Sequence, residues 1–294
     1  MAYLKKKNNW FDVINCIILA LMGIITLYPF IYVLTISLIP AEVYLKGGLF
    51  LFPVRISFDA YRIVLSDKFV GSSFLSSVII TIGGTFCNLI LTSMAAYALS
   101  KTYLKGYRFF MGMFIFTMYF SGGLIPSYLL MSSLKLVDTY WAVILTGGIS
   151  TYYMLVMRSF YLNLPASMEE AALIDGASEV TVLLKIILPL SKPVIAALSL
   201  FFSVGHWNSY FTPMIYLNNR NKWPLQIVLR EILFETIASI KGSMDDMGGI
   251  KETLTVAAPL RMATVIVSII PITVVYPFLQ KYFVKGVLIG AVKA

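Results

Sequence analysis

His206 is the only imidazole in the chain, and the two cysteines, Cys16 and Cys87, both fall inside apolar runs. A nucleophilic Ser or Cys needs a base beside it, and a bound metal needs several ligands at a fixed spacing. One isolated histidine supplies neither, so His206 reads as a packed or pore-facing side chain. A phosphate-gripping loop needs a Gly-Lys-Ser/Thr step onto a helix, and no Gly-Lys dipeptide occurs anywhere. Bond-breaking chemistry has no source here: no metal or cofactor is expected on this chain, and it is not expected to be an enzyme. The pattern that can do work is mechanical. Glu170-Ala171-Ala172, then Gly176, then Ile186, Leu188 and Pro189 lie in a polar stretch running from Arg158 to Lys192.

Locally, Pro165, Ala166 and Ser167 open a helix, and Ser167 followed by Glu170 has the spacing of a capping box. Glu169 and Glu170 suit the positive end of that helix. Gly176 provides a left-handed stop after Asp175. Ser178 can cap a second short helix from Glu179 to Ile187, ended by Pro189. Ala171, Ala172 and Ala177 leave one side of the first helix thin, so a partner backbone can approach it. Taken singly, Glu170 could merely cap and Gly176 merely terminate; the assembled pattern predicts a docking site.

The elements that position this loop are membrane helices. The chain is 59% hydrophobic and 13% charged, against about 45–50% and about 25% in soluble domains. Its net charge of +9 comes from basic residues scattered between apolar runs. That distribution fits membrane topology better than nucleic-acid binding. Lys5, Lys6 and Lys7 before an apolar stretch imitate a signal peptide, but no small-x-small cleavage site follows, so a retained first helix is expected. Six helices are predicted, near 11–38, 70–100, 107–131, 139–158, 191–217 and 260–281, giving an all-α polytopic membrane protein. Residues 1–69 hold the N-terminal segment, first helix and external loop. Residues 70–282 form the core, with a cytoplasmic loop at 158–192 and an external loop at 218–259. Residues 283–294 form a cytoplasmic tail. Lys5–Lys7, then Lys101, Lys105 and Arg108, then Lys281 and Lys285 fall on one side of six helices, placing both termini inside. Gly83-Gly84, Gly122-Gly123 and Gly147-Gly148 suit close helix packing, and Pro126, Pro193, Pro213, Pro271 and Pro277 suit kinks.

Within the six cores no Asp, Glu, Lys or Arg lies well away from a helix end. This argues against a proton- or sodium-coupled carrier and for a route lined by hydroxyls, amides and rings. Sugars suit that lining, since hydroxyls need paired hydrogen bonds while C–H faces rest on aromatics. Candidates are Trp207, Asn208 and Tyr210 in the fifth helix, and Tyr119, Ser121 and Tyr128 in the third. Tyr128 and Tyr210 fit an interfacial aromatic belt equally well. Asn208 carries an amide that needs a partner in protein or water. A segment from Trp223-Pro224 to Glu235 reads as an amphipathic helix, either resting at the interface or against the bundle, or helping to receive an external binding protein.

Glu170-Ala171-Ala172, three residues, Gly176, nine residues, then Ile186-x-Leu188-Pro189 resembles the EAA signature of binding-protein-dependent (MetI-like) ABC importer permeases, fixing seven positions over twenty. Asp175-Gly176-Ala177 is similar to its usual extension. The likeness runs along nearly the whole chain, including Ala95-Ala96-Tyr97-Ala98-Leu99-Ser100. Trp207-Asn208 and the tail from Tyr282 to Lys293 resemble the carbohydrate-uptake branch, similar to the maltose-type (MalG) and LplC-type polysaccharide permeases. Ala294 departs from the glycine often found there. The resemblance implies a type I ABC importer transmembrane domain whose coupling helix, Glu170 to Gly176, fits a cleft on a cytoplasmic ATPase. It implies a tail contact through Gly290, Ala291, Val292 and Lys293, with ATP and Mg bound by the ATPase rather than this chain. The implied partners are a second, homologous permease subunit in a heterodimer, two ATPase subunits, an extracellular solute-binding protein and a carbohydrate, probed against the alternatives of an amino acid, a glycerol-phosphate ester or an ion-coupled carrier.

Overall fold

The computed structural model describes residues 10–46, 48, 50, 52, 53, 55–242 and 258–277, and among them the only regular structure is helical. α1 (Trp10–Ser37) is 28 residues long, with only Thr35, Ile36 and Ser37 buried. At 1.5 Å per residue it reaches about 42 Å, enough to cross a bilayer, and its apolar surface on all sides suits lipid. α2 (Ala41–Leu45) and α3 (Asp59–Ser66) follow. Ser37 Oγ meets the Tyr61 hydroxyl of α3 at 2.7 Å, which ties the end of α1 to the segment after it. These three helices belong to one compact unit with residues 231–242 and 258–269; residues 68–230 and 270–277 belong to a second.

The second unit is organised on α4 (Lys68–Ser100), 33 residues without a break. The next predicted span is two helices, α5 (Tyr107–Tyr119) and α6 (Leu124–Ser133), bent by 119°. Gly123 takes φ +87° at that break, a conformation glycine enters without the Cβ penalty. The span after it is also divided, into α7 (Tyr140–Thr146) and α8 (Thr151–Leu162), bent by 61°. Gly122-Gly123 and Gly147-Gly148 therefore interrupt helices, which periodicity alone does not reveal.

α9 (Ala166–Ile174) is followed by α10 (Glu179–Leu190). Leu183–Ile187 of α10 form a π turn. It leads into Pro189, whose missing N–H leaves the Lys185 carbonyl without its α-helical donor. Pro189 thus lies inside α10 instead of ending it, and the chain bends by 83° at Ser191 into α11 (Lys192–Asn208). α12 (Phe211–Tyr216) continues after a break at Ser209 and Tyr210. α13 (Leu225–Gly242) begins buried, with Leu225, Ile227, Val228 and Leu229 shielded, and Leu225 N donates to Ser77 Oγ of α4 at 2.7 Å. The start of this segment therefore lies against the bundle. α14 (Ala258–Pro277) completes the described chain. Among the described residues, α1, α4 and α14 are long and apolar enough to cross a membrane, and the count reaches six if each bent pair (α5–α6, α7–α8, α10–α11) is one span.

α4 packs along α8 and α11. Midway along it, the buried Asn88 amide donates to the Gly147 carbonyl at 2.5 Å and the Gly148 carbonyl at 2.9 Å. The α7–α8 break exposes these acceptors, and Asn88 satisfies them where water is excluded. Asn88 Oδ1 lies 2.7 Å from His206 Nε2 of α11. With both amide hydrogens committed, Oδ1 accepts and the imidazole donates from Nε2. His206 is thus a packed residue that links three elements.

Candidate functional site

α9 ends in a Schellman turn. Gly176 adopts φ +83°, its N–H donates to Leu173 O at 3.0 Å, and Ala177 N donates to Ala172 O at 2.9 Å. This closes the carbonyls that a helix end leaves open. The start differs from the expected capping box. Pro165 is the N-cap, without a side-chain cap bond, so Ser167 lies inside the helix. The helix thus begins two residues before the expected cap, at a proline that has no side-chain oxygen to accept from its first amides. Ser178 does cap α10, accepting from Thr181 N at 3.3 Å.

The predicted motif divides between two faces. Ala172, Ala177, Ile186 and Leu188 pack against a core formed by Tyr97, Met157, Tyr161, Val182, Leu183 and Ile187. Glu170, Ala171, Asp175, Gly176 and Pro189 are exposed. Two of the three alanines therefore let α9 settle on its own protein, and only Ala171 thins the outer side. Ser167, Glu170, Ala171 and Ile174 recur at helical spacing on that outer side, and Ile174 is 85% exposed.

Sequence reasoning missed the anchorage behind α9. Lys101 Nζ pairs with Glu169 Oε1 and lies 4.5 Å from the Tyr97 ring centroid. The buried Tyr97 donates its hydroxyl to Glu179 Oε2 at 2.5 Å and to Glu169 Oε1 at 3.3 Å, and Tyr103 donates to Glu179 Oε1 at 2.8 Å. The hydrogen bond from Tyr97, then that from Tyr103 and the nearby Lys101 charge, outweigh partial burial and hold the Glu179 carboxyl below its usual range. Tyr103 is pushed up to about 12, chiefly by its bond to Glu179, so it remains a donor. Behind this cluster Arg158 Nε donates to Leu99 O at 2.7 Å and a second guanidinium nitrogen to the Tyr107 hydroxyl at 2.6 Å. The available signal was Tyr97 and Lys101 at i and i+4, facing two acids that flank the turn at Gly176.

The candidate lining residues occupy separate places. Tyr119 and Ser121 are exposed at the α5–α6 break, where Ser121 Oγ accepts from Gly123 N at 3.1 Å. Tyr128 stacks on the buried Tyr216, with centroids 5.9 Å apart. Asn208 is exposed at the end of α11, and Tyr210 lies beneath the Arg230 guanidinium at 4.2 Å. Trp207 is buried, its ring edge-on to Phe74, and packs in the α4–α11 contact. Gly290, Ala291, Val292, Lys293, Lys281 and Lys285 lie outside the described residues.

Bent apolar helices and a short exposed helix between two of them are the arrangement of a polytopic membrane protein. Residues 89–289 match the family described as "Binding-protein-dependent transport system inner membrane component". The chain belongs to that family and is an ABC transporter permease subunit. It is 40% identical over 287 residues to the polygalacturonan/rhamnogalacturonan transport system permease protein YtcP of Bacillus subtilis (strain 168), covering 98% of this chain and 99% of that one. It is 41% identical over 292 residues to Protein LplC of the same organism, covering 98% and 96%. A solved structure, of a bacterial ABC transporter involved in the import of the acidic polysaccharide alginate, aligns with TM-score 0.83 and 33% identity over 96% of this chain and 100% of that one.

Proposed function

We propose that this chain is one of two non-identical permease subunits of an ATP-driven importer of a carbohydrate, an oligosaccharide delivered by an extracellular solute-binding protein. Both termini and α9 face the cytoplasm, where two ATPase subunits hold ATP and Mg and grip the outer face of α9. Supporting this is the division of the motif: Ala172, Ala177, Ile186 and Leu188 anchor the loop while Glu170, Ala171 and Ile174 stand outward. Asp175 and Gly176 shape the turn, and Pro189 lies on the route into α11. The tail Gly290–Lys293 adds a contact to the ATPase pair. Asn208, Tyr210, Tyr119, Ser121 and Tyr128 contribute to the cargo route. The relatives named for polygalacturonan, rhamnogalacturonan and alginate transport support a carbohydrate as cargo.

The test is uptake of labelled oligogalacturonide by proteoliposomes holding both permeases, the ATPase and the binding protein. Uptake should require ATP and the binding protein. Uptake driven by an imposed ion gradient without ATP would contradict the reading.

A further inference from the structure

The peptide chain gives α9 two routes into the membrane, back through α8 and onward through α10, Ser191 and α11. Side chains build another. Tyr97 closes α4 and Lys101 lies one turn beyond it, and both engage acids from other elements: Glu179, which opens α10, and Glu169, inside α9. Tyr103 takes the remaining Glu179 oxygen. The carboxylates on either side of the turn at Gly176 are thereby fastened to the end of α4. Nine residues back from Tyr97, about 13 Å along the helix axis, Asn88 of the same helix holds Gly147, Gly148 and His206.

We propose that Tyr97, with Glu179 as its acceptor, is a positioning residue of the transport cycle: it makes α4 follow the gripped helix. A pull on α9 then moves α8 and α11 through the backbone and α4 through the Tyr97–Glu179 and Lys101–Glu169 pairs. Asn88 carries the motion of α4 to the α7–α8 break. Where the hydroxyl is missing, ATP turnover moves α8, α9, α10 and α11 while α4 lags, and the cargo route does not switch. This rests on the docking role of α9 given above.

The experiment measures uptake and ATP hydrolysis on the same proteoliposomes of the assembled transporter. Tyr97→Phe and Glu179→Leu, which leaves Tyr97 no acceptor at that position, should each lower uptake per ATP hydrolysed by about fivefold or more, the lower end of coupling between sites. The double variant should lose less than the sum of the two singles, since the Tyr97–Glu179 bond is common to both while Tyr97–Glu169 and Tyr103–Glu179 are not. Lys101→Glu should fail likewise, and Lys101→Glu combined with Glu169→Lys should recover uptake; this swap keeps the test alive if Tyr97→Phe does not assemble. An unchanged ratio in Tyr97→Phe, additive losses in the double variant, or no recovery in the swap overturns the proposal. Glu170→Lys separates the two levels. If it uncouples while Tyr97→Phe transports normally, only the α4 linkage falls; if Glu170→Lys has no effect, the docking reading falls with it.

Discussion

A Cβ added to Gly84 would stand 2.5 Å from His206 Nε2, closer than real side chains approach. The imidazole fills the space that the missing side chain leaves, and from there it reaches Asn88. Glycine at this position lets α4 and α11 approach while a polar group from each is satisfied between them.

Gly84→Ala should therefore force the helices apart, costing about 1–3 kcal/mol as overpacking does. Gly83→Ala should be tolerated, because the nearest atom to its Cβ is Ile144 Cδ1 at 3.4 Å. Thermal melting of the two purified variants checks this: a lowered midpoint for residue 84 alone is expected, and equal midpoints would count against the packing argument.

Asn88→Leu removes the donor shared by the Gly147 and Gly148 carbonyls and leaves His206 without its acceptor. Each unsatisfied buried group costs about 1–3 kcal/mol, so the α7–α8 break should loosen. Hydrogen exchange should rise at 147–151 more than in α5, and uniform protection in both would contradict the role assigned to Asn88.

Much of this was legible in the residues. The apolar runs marked the membrane segments, and Gly176 announced the turn its backbone makes. The bends were not legible, because an apolar run reads the same whether it continues or breaks. A glycine pair serves close packing and interruption alike, as Gly84 and Gly123 illustrate. Ser167 had the spacing of a cap, but Pro165 took the boundary. The packing of Trp207 edge-on to Phe74 was not legible either, since a ring's direction on its helix depends on neighbours far away in the chain. The Tyr97–Glu179 pair joins residues 82 apart, beyond the reach of local pattern.

Low pH should weaken the loop anchorage. Glu179 has a folded pKa below the ordinary value of 4.5, first because Tyr97 donates to it. The stabilisation is complete above that ordinary value and is lost as pH falls through the lowered folded one. Hydrogen exchange in 166–182 should accelerate below that range in the native protein, and Glu179→Gln should remove this dependence. An identical acid response in both proteins would refute the assignment.

Glu170→Lys reverses charge at the exposed fifth residue of α9, beyond its first turn, where the helix-dipole contribution has fallen off and the change does not unfold α9. Loss of uptake with normal membrane levels then reports on docking. ATP hydrolysis that no longer responds to the binding protein is the expected companion result; normal stimulation would remove Glu170 from the mechanism.

Asn208→Leu should impair uptake while the complex still assembles, because it removes an exposed amide at the end of α11. Unaltered transport kinetics would exclude it from the cargo route.

The most direct measurement places a thiol at the outer face of α9. Ala171→Cys, with Cys16 and Cys87 changed to Ser, should form crosslinks to the ATPase that vary with nucleotide, and should resist membrane-impermeant thiol reagents applied to intact cells. Labelling of this cysteine from outside, with no crosslink to a nucleotide-hydrolysing subunit, would contradict the account.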